Sequence, residues 1–235
     1  FDVHADEKLI ALQLFGQNEN DFFEAAKRFV DKISIIDINC GCSVKRILNQ
    51  GAGAALLKRK NQIIKIIEKL KTLNKPITVK LRIGPTKEKF IELCKAIEKA
   101  GASAITIHAR TVKQGFSGKA DWELIKKIYH VLKIPVIGNG DIDNYEQAHE
   151  KLKQDYCNYI MIGRAALSNP GIFNNTKKHP LDYFKEYLKL TKAEFKKIKL
   201  HSLWFCSGFN QAKKLRFKIS QAKSLDEINK ILKDF

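Results

Sequence analysis

Short runs of β-branched and other apolar residues alternate with longer, mixed stretches along most of the chain. The runs fall at 9–14, 33–38, 77–81, 104–107, 135–137 and 159–162. Between them, apolar positions recur every three or four residues over 20–32, 54–73, 87–100, 121–132 and 144–152. The first pattern suits strands, and the second suits amphipathic helices. Strand, helix, strand, repeated, predicts a parallel sheet or an α/β barrel. After Ile172 the alternation stops. Residues 181–235 read as helices only, with apolar spacing such as Leu225, Ile228, Ile231 and Leu232. A polar segment, 174–180, ends in Pro180 and reads as a linker. The expected organisation is a β/α region over 1–173 and a helical domain over 181–235.

Each apolar run stops at a polar residue: Gln13, Asn39, Lys80, His108, Asn139, and then Gly163-Arg164. In a β/α barrel the carboxyl ends of the strands form one rim, and the chemistry sits there. Parity agrees, because Asp37 and Asn39, Lys80 and Arg82, and His108 and Arg110 are each two residues apart and can share a face. Helix caps and solvated turns also place polar residues after strands, but six in succession favour a rim. Six strand signals are visible, whereas a closed barrel of this class has eight. An open sheet would leave two edges with unpaired N–H and C=O groups. The expectation is therefore a TIM-type barrel short of two strands, which an upstream segment or a second chain would supply.

Charge sharpens the picture. Lys and Arg number 43 against 25 Asp and Glu, a net charge of +18. Such an excess favours a polyanionic partner, since each cation near a phosphate releases a counterion; lysines spread over solvated helix faces would give the same balance. Five cysteines form no regular framework, which argues against a secreted disulfide scaffold, and no pattern suggests a metal site. No apolar run approaches the ~18 residues of a membrane span, and no signal pattern opens the chain. A cytoplasmic protein with no membrane partner is expected.

Several motifs carry a resemblance. Asp37-Ile38-Asn39-Cys40-Gly41-Cys42-Ser43, followed by Gly51-Ala52-Gly53-Ala54, resembles the N-x-G-C-P loop and Gly-Ala-rich helix start of the flavin-dependent tRNA-dihydrouridine synthases. Val79-Lys80-Leu81-Arg82-Ile83-Gly84 resembles that family's V-K-x-R-x-G. The stretch from Ile107-His108-Ala109-Arg110-Thr111 through Gly115 and Gly118 to Ala120-Asp121-Trp122 is similar to its H-A/G-R-T…G…A-D-W. Pro135 to Ile142, Met161 to Ala165, and Leu12-Gln13-Leu14-Phe15-Gly16 resemble its remaining strands. The matches keep family order over nearly the whole chain, and the H-A-R-T…A-D-W stretch is the most specific.

The resemblance implies an FMN-dependent enzyme that reduces the uracil C5=C6 bond in tRNA, with NADPH as reductant. It implies flavin contacts from Gln13, Lys80, His108, Asn139, Gly140, Asp141, Gly163 and Arg164. It assigns Cys42 as the proton donor, and Asn39, Arg82 and Arg110 as contacts to the base. For each arginine a structural ion pair is an equal alternative. The tail, with Trp204, Phe205, Phe209 and Phe217 among many lysines, resembles the family's helical RNA-binding domain, although aromatic residues at helical spacing are more often core. Departures exist: the family's first two strands have no counterpart, and Ser43 stands where the family has Pro. Two other readings remain, an RNA-binding protein without flavin and another FMN-dependent pyrimidine reductase such as a dihydroorotate dehydrogenase.

Overall fold

The computed structural model describes residues 6–206 and 210–234. Its two compact units are Phe1–Asp141 with His149–Met161, and Ile142–Ala148 with Ile162–Phe235.

Among the described residues the first unit carries six strands, β1 (Ala11–Leu14), β2 (Ile35–Cys40), β3 (Ile77–Ile83), β4 (Ala104–Thr111), β5 (Val136–Asn139) and β6 (Tyr159–Met161). They pair in sequence order, every pair parallel, with β1 and β6 at the edges. Register joins Gln13 to Asp37, Asn39 to Lys80, Arg82 to His108, and His108 to Asn139. One face of the sheet is apolar and buried: Ile36, Ile38, Val79, Leu81, Ile105, Ile107 and Val136. Helices cover it. α3 (Lys60–Lys71) and α4 (Lys87–Ala100) pack on β3, and α5 (Trp122–Val131) packs on β4 and β5. Their stripes, such as Ile63, Ile66, Ile67 and Leu70 on α3, are wholly buried. The other face carries the alternate residues Gln13, Asp37, Asn39, Thr78, Lys80, Thr106, His108 and Asn139. Period-2 alternation thus sorts oil from polar chemistry across a single sheet.

Helix boundaries follow local chemistry. Thr86 caps α4 by accepting from Lys89 N, and Gly101 ends that helix at a φ of 102°. Asp121 caps α5 through Leu124 N. Two expectations need correction. The single helix expected over 54–73 is a 3-10 segment, Gly53–Lys58, followed by α3, with a five-residue α2 (Lys45–Asn49) before it. The break falls at Arg59, whose backbone (φ -127°, ψ 58°) is non-helical, and the short segment before it packs on β2. β3 and β4 also run further than the apolar runs 77–81 and 104–107, so Arg82, His108 and Arg110 lie inside them. Hydropathy marks where apolar side chains stop, whereas ladder hydrogen bonding continues past them.

In the second unit, α7 (Pro180–Leu190), α8 (Phe195–Phe205), α9 (Ala212–Gln221) and α10 (Leu225–Lys233) enclose their own core. Phe184, Phe205, Leu215, Ile219 and Ile228 are buried there, with Leu225, Ile231 and Leu232 packed alongside. Phe217 is 67% exposed, because it lies two residues from both Leu215 and Ile219 and faces away from them. Trp204 is half-buried and stacks on His201 at 4.8 Å, while Phe209 lies outside the described residues. No described helix is long and apolar enough to cross a membrane.

Candidate active site on the polar face of the sheet

The polar face is a connected network. Asp37 accepts from Gln13 Nε2 and from Thr78 Oγ1, both at 2.5 Å. Gln13 Oε1 accepts from Asn39 Nδ2 at 2.9 Å. Asn39 Oδ1 in turn accepts the backbone N–H groups of Gly41 at 3.1 Å and Cys42 at 2.9 Å. A single side chain therefore shapes the loop that carries Cys42. Ala54 N donates to Cys42 O at 2.9 Å, which ties the loop to the 3-10 segment.

Two buried arginines organise the next loop, 112–120. Arg82 Nη1 donates to Thr111 O at 3.2 Å and Gly115 O at 2.6 Å. Arg110 donates to Ser117 O at 3.2 Å, Gly118 O at 2.6 Å and Asp141 Oδ1 at 2.6 Å. Asp141 also accepts from Ala120 N at 2.8 Å. Phe116, at the loop's tip, sits over the Arg82 guanidinium with 5.5 Å to the ring centre and lies 6.2 Å from the His108 ring. Trp122 Nε1 donates to Gly140 O, and Asn139 Nδ2 to Met161 O.

Charge is unbalanced here. Lys80, Arg82 and Arg110 surround His108, and burial with these three cations lowers the imidazole to about 4. His108 is therefore neutral near pH 7. Burial also lowers Lys80, against the pull of Asp37, and raises Asp37. Lys80 is half-buried, and among the described residues no hydrogen bond or ion pair ends on its Nζ. The cysteines divide sharply. Cys40, Cys94, Cys157 and Cys206 are buried, and burial pushes each thiol up, Cys206 to about 12. Cys42 is the one that solvent reaches.

Gln13, Asn39, Cys42, Lys80, Arg82, His108, Arg110, Asn139, Gly140 and Asp141 all belong to the first unit. Gly163 and Arg164 belong to the second, where Arg164 opens the 3-10 turn Arg164–Leu167. Sequence reasoning paired Asp37 with Asn39 by parity but gave Asp37 no role, and it passed over Thr78 and Phe116. Parity could have found Thr78, two residues before Lys80. Nothing local marks Phe116, whose place depends on the two arginines.

The family described as Dihydrouridine synthase (Dus) matches residues 2–235. A probable tRNA-dihydrouridine synthase of Aquifex aeolicus is 32% identical, over 97% of this chain and 79% of its own length. One from Rickettsia bellii is 38% identical over 72% of this chain and 53% of its own length, so the chain spans about half of that relative. Among solved structures, the DHODH of Eimeria tenella superposes with a TM-score of 0.52 at 12% identity, over 73% of this chain and 55% of that one. That likeness is one of barrel-type fold.

Proposed function

Given that the chain belongs to the dihydrouridine synthase family, we propose that it reduces the C5=C6 bond of uridine in tRNA, using FMN and NAD(P)H. The polar face fits a flavin. Half-buried Lys80 and a neutral His108 would supply net positive charge to a ring edge that gains negative charge on reduction. Gln13 on β1 and Asn139 on β5 carry amides on the same face of the sheet, and Gly140 and Asp141 follow directly after β5. Gly163 and Arg164 enter as phosphate contacts through the resemblance alone. When bound, FMN would supply the hydride for uracil C6, with NADPH as the source of its reducing equivalents.

The remaining work belongs to this chain's own residues. Cys42 holds a proton on Sγ and gives it to uracil C5, completing the addition of a hydride and a proton across the double bond; solvent then reprotonates the thiolate. Asn39 fixes the Cys42 backbone, which sets the thiol's approach. Arg82 and Arg110 hold the loop over the strand ends and can reach uracil carbonyls only with donors not already engaged. A loop uridine suits the reaction, because extruding an unpaired base costs least. The helical unit, with its many lysines, is assigned to RNA contact.

The observation that carries the reading is the exposure of Cys42 alone among five cysteines, on a loop shaped by the polar network. Cys42→Ala should retain flavin absorbance while dihydrouridine in tRNA, measured by mass spectrometry, falls by about 10²–10⁴-fold. A silent Cys42→Ala with a damaging Cys40→Ala would refute the assignment. Tight tRNA binding by a protein that never takes up flavin would leave only the RNA-binding reading.

A further inference from the structure

A cleft of about 340 Å³ opens beside the Cys42 loop, between the segment Gly53–Lys58 and the ends of β3 and β4. Its lining is mostly apolar, with Leu57, Ile83, Pro85 and Val112. The two charged residues that line it are both cations, Lys58 and Lys113, and both are exposed. The cleft is tied to the catalytic loops at two points. Ala54, which also lines it, donates to Cys42 O, and Arg82 grips Thr111 O in its β4 side. Neither lysine has a part in the chemistry described above.

A volume near the lower limit of small-molecule pockets, about 300 Å³, suits one flat heterocycle. Apolar walls suit the two faces of an aromatic ring, and lysines with no carboxylate in the lining suit a phosphate on either side of it. Extruding one uridine from an RNA loop unstacks its neighbour, and burying that neighbour's base recovers part of the loss. We propose that this cleft is a second nucleoside subsite, which holds the base adjacent to the target uridine and sets its flanking phosphates against Lys58 and Lys113. The inference rests on the tRNA reading.

The test uses the full protein and an RNA hairpin whose purine loop contains one uridine. A second hairpin carries abasic nucleotides on both sides of that uridine. The wild type should prefer the intact loop by about 10-fold or more, the scale of base stacking in single-strand recognition. Val112→Trp, which fills the cleft, should bind both hairpins alike. Lys58→Glu with Lys113→Glu is insensitive to core packing and should reduce the log–log salt slope by about 2. If Val112→Trp keeps the wild-type preference, or the lysine variant keeps the slope, the subsite is refuted while tRNA binding stands. Loss of NADPH binding in Val112→Trp with RNA affinity unchanged would also refute it and give the cleft to the dinucleotide. A wild type that binds neither hairpin would overturn both the tRNA reading and this one.

Discussion

Replacing Arg110 with Met should destabilise the first unit by about 2–3 kcal/mol. The guanidinium is 3% exposed and makes three hydrogen bonds to oxygen, one of them to the Asp141 carboxylate at 2.6 Å, besides a long one of 3.5 Å to His108 Nε2. Met fills much of the volume but donates nothing. Breaking a fully buried ion pair from one side costs about 3–5 kcal/mol, because the remaining charge is stranded. Asp141 is 34% exposed and keeps its bond from Ala120 N, so water and that amide recover part of the cost. The Ser117 and Gly118 carbonyls sit on exposed residues and can turn to solvent. In a unit of this size the loss corresponds to roughly 4–12 °C in Tm. Urea denaturation would measure it, and hydrogen exchange should show loop 112–120 losing protection first. Arg110→Met with Asp141→Asn should cost less than the sum of the single changes, since the stranded charge is gone. A change below about 0.5 kcal/mol for Arg110→Met, within the range of ordinary surface substitutions, would show that the guanidinium is not a structural clamp and would return it to substrate contact.

His108 provides a pH test. Its folded value is about 4 against an ordinary 6.5, so between these the unfolded chain binds a proton that the folded chain does not. Stability is full above the ordinary value and falls as pH drops toward 4. Wild type should therefore lose on the order of 1–3 kcal/mol more than His108→Gln between pH 7 and 4; Asp37, whose raised carboxyl acts in the opposite direction, is common to both proteins. Parallel pH profiles for the two would contradict the neutral imidazole. Gly53→Ala should disable dihydrouridine formation while most of the fold survives. The residue has a φ of 60°, and an added Cβ would lie 2.8 Å from Cys42 O, so the thiol loop must shift. A kinetically unaltered Gly53→Ala would show that the loop's position is not critical.

The chain's own pattern determined the order and number of these strands, because each short β-branched run is bounded by polar residues and separated from the next by a helix-length amphipathic stretch. It also determined α4 to the residue, where Thr86 and Gly101 are strong local signals at both ends. Strand parity put Asp37 with Asn39, Lys80 with Arg82, and His108 with Arg110 on shared faces, and register then joined Asn39, Lys80 and His108 on one side of the sheet. The motif around Cys42 singled out one thiol among five, but only burial explains why the other four are unsuited to the task. Other features depended on contacts distant in sequence. The meeting of Asp37 with Gln13 and Thr78 requires strand register, which periodicity alone does not fix. Arg82 and Arg110 read equally as base contacts or as structural ions, and the carbonyls of 111–118 that they grip are backbone atoms, invisible to any residue pattern. The depression of His108 arises from burial, and then from three cations on two adjacent strands, so it belongs to the assembled sheet. Side-chain chemistry and alternation are written locally; electrostatics and loop clamping arise only when the strands lie side by side.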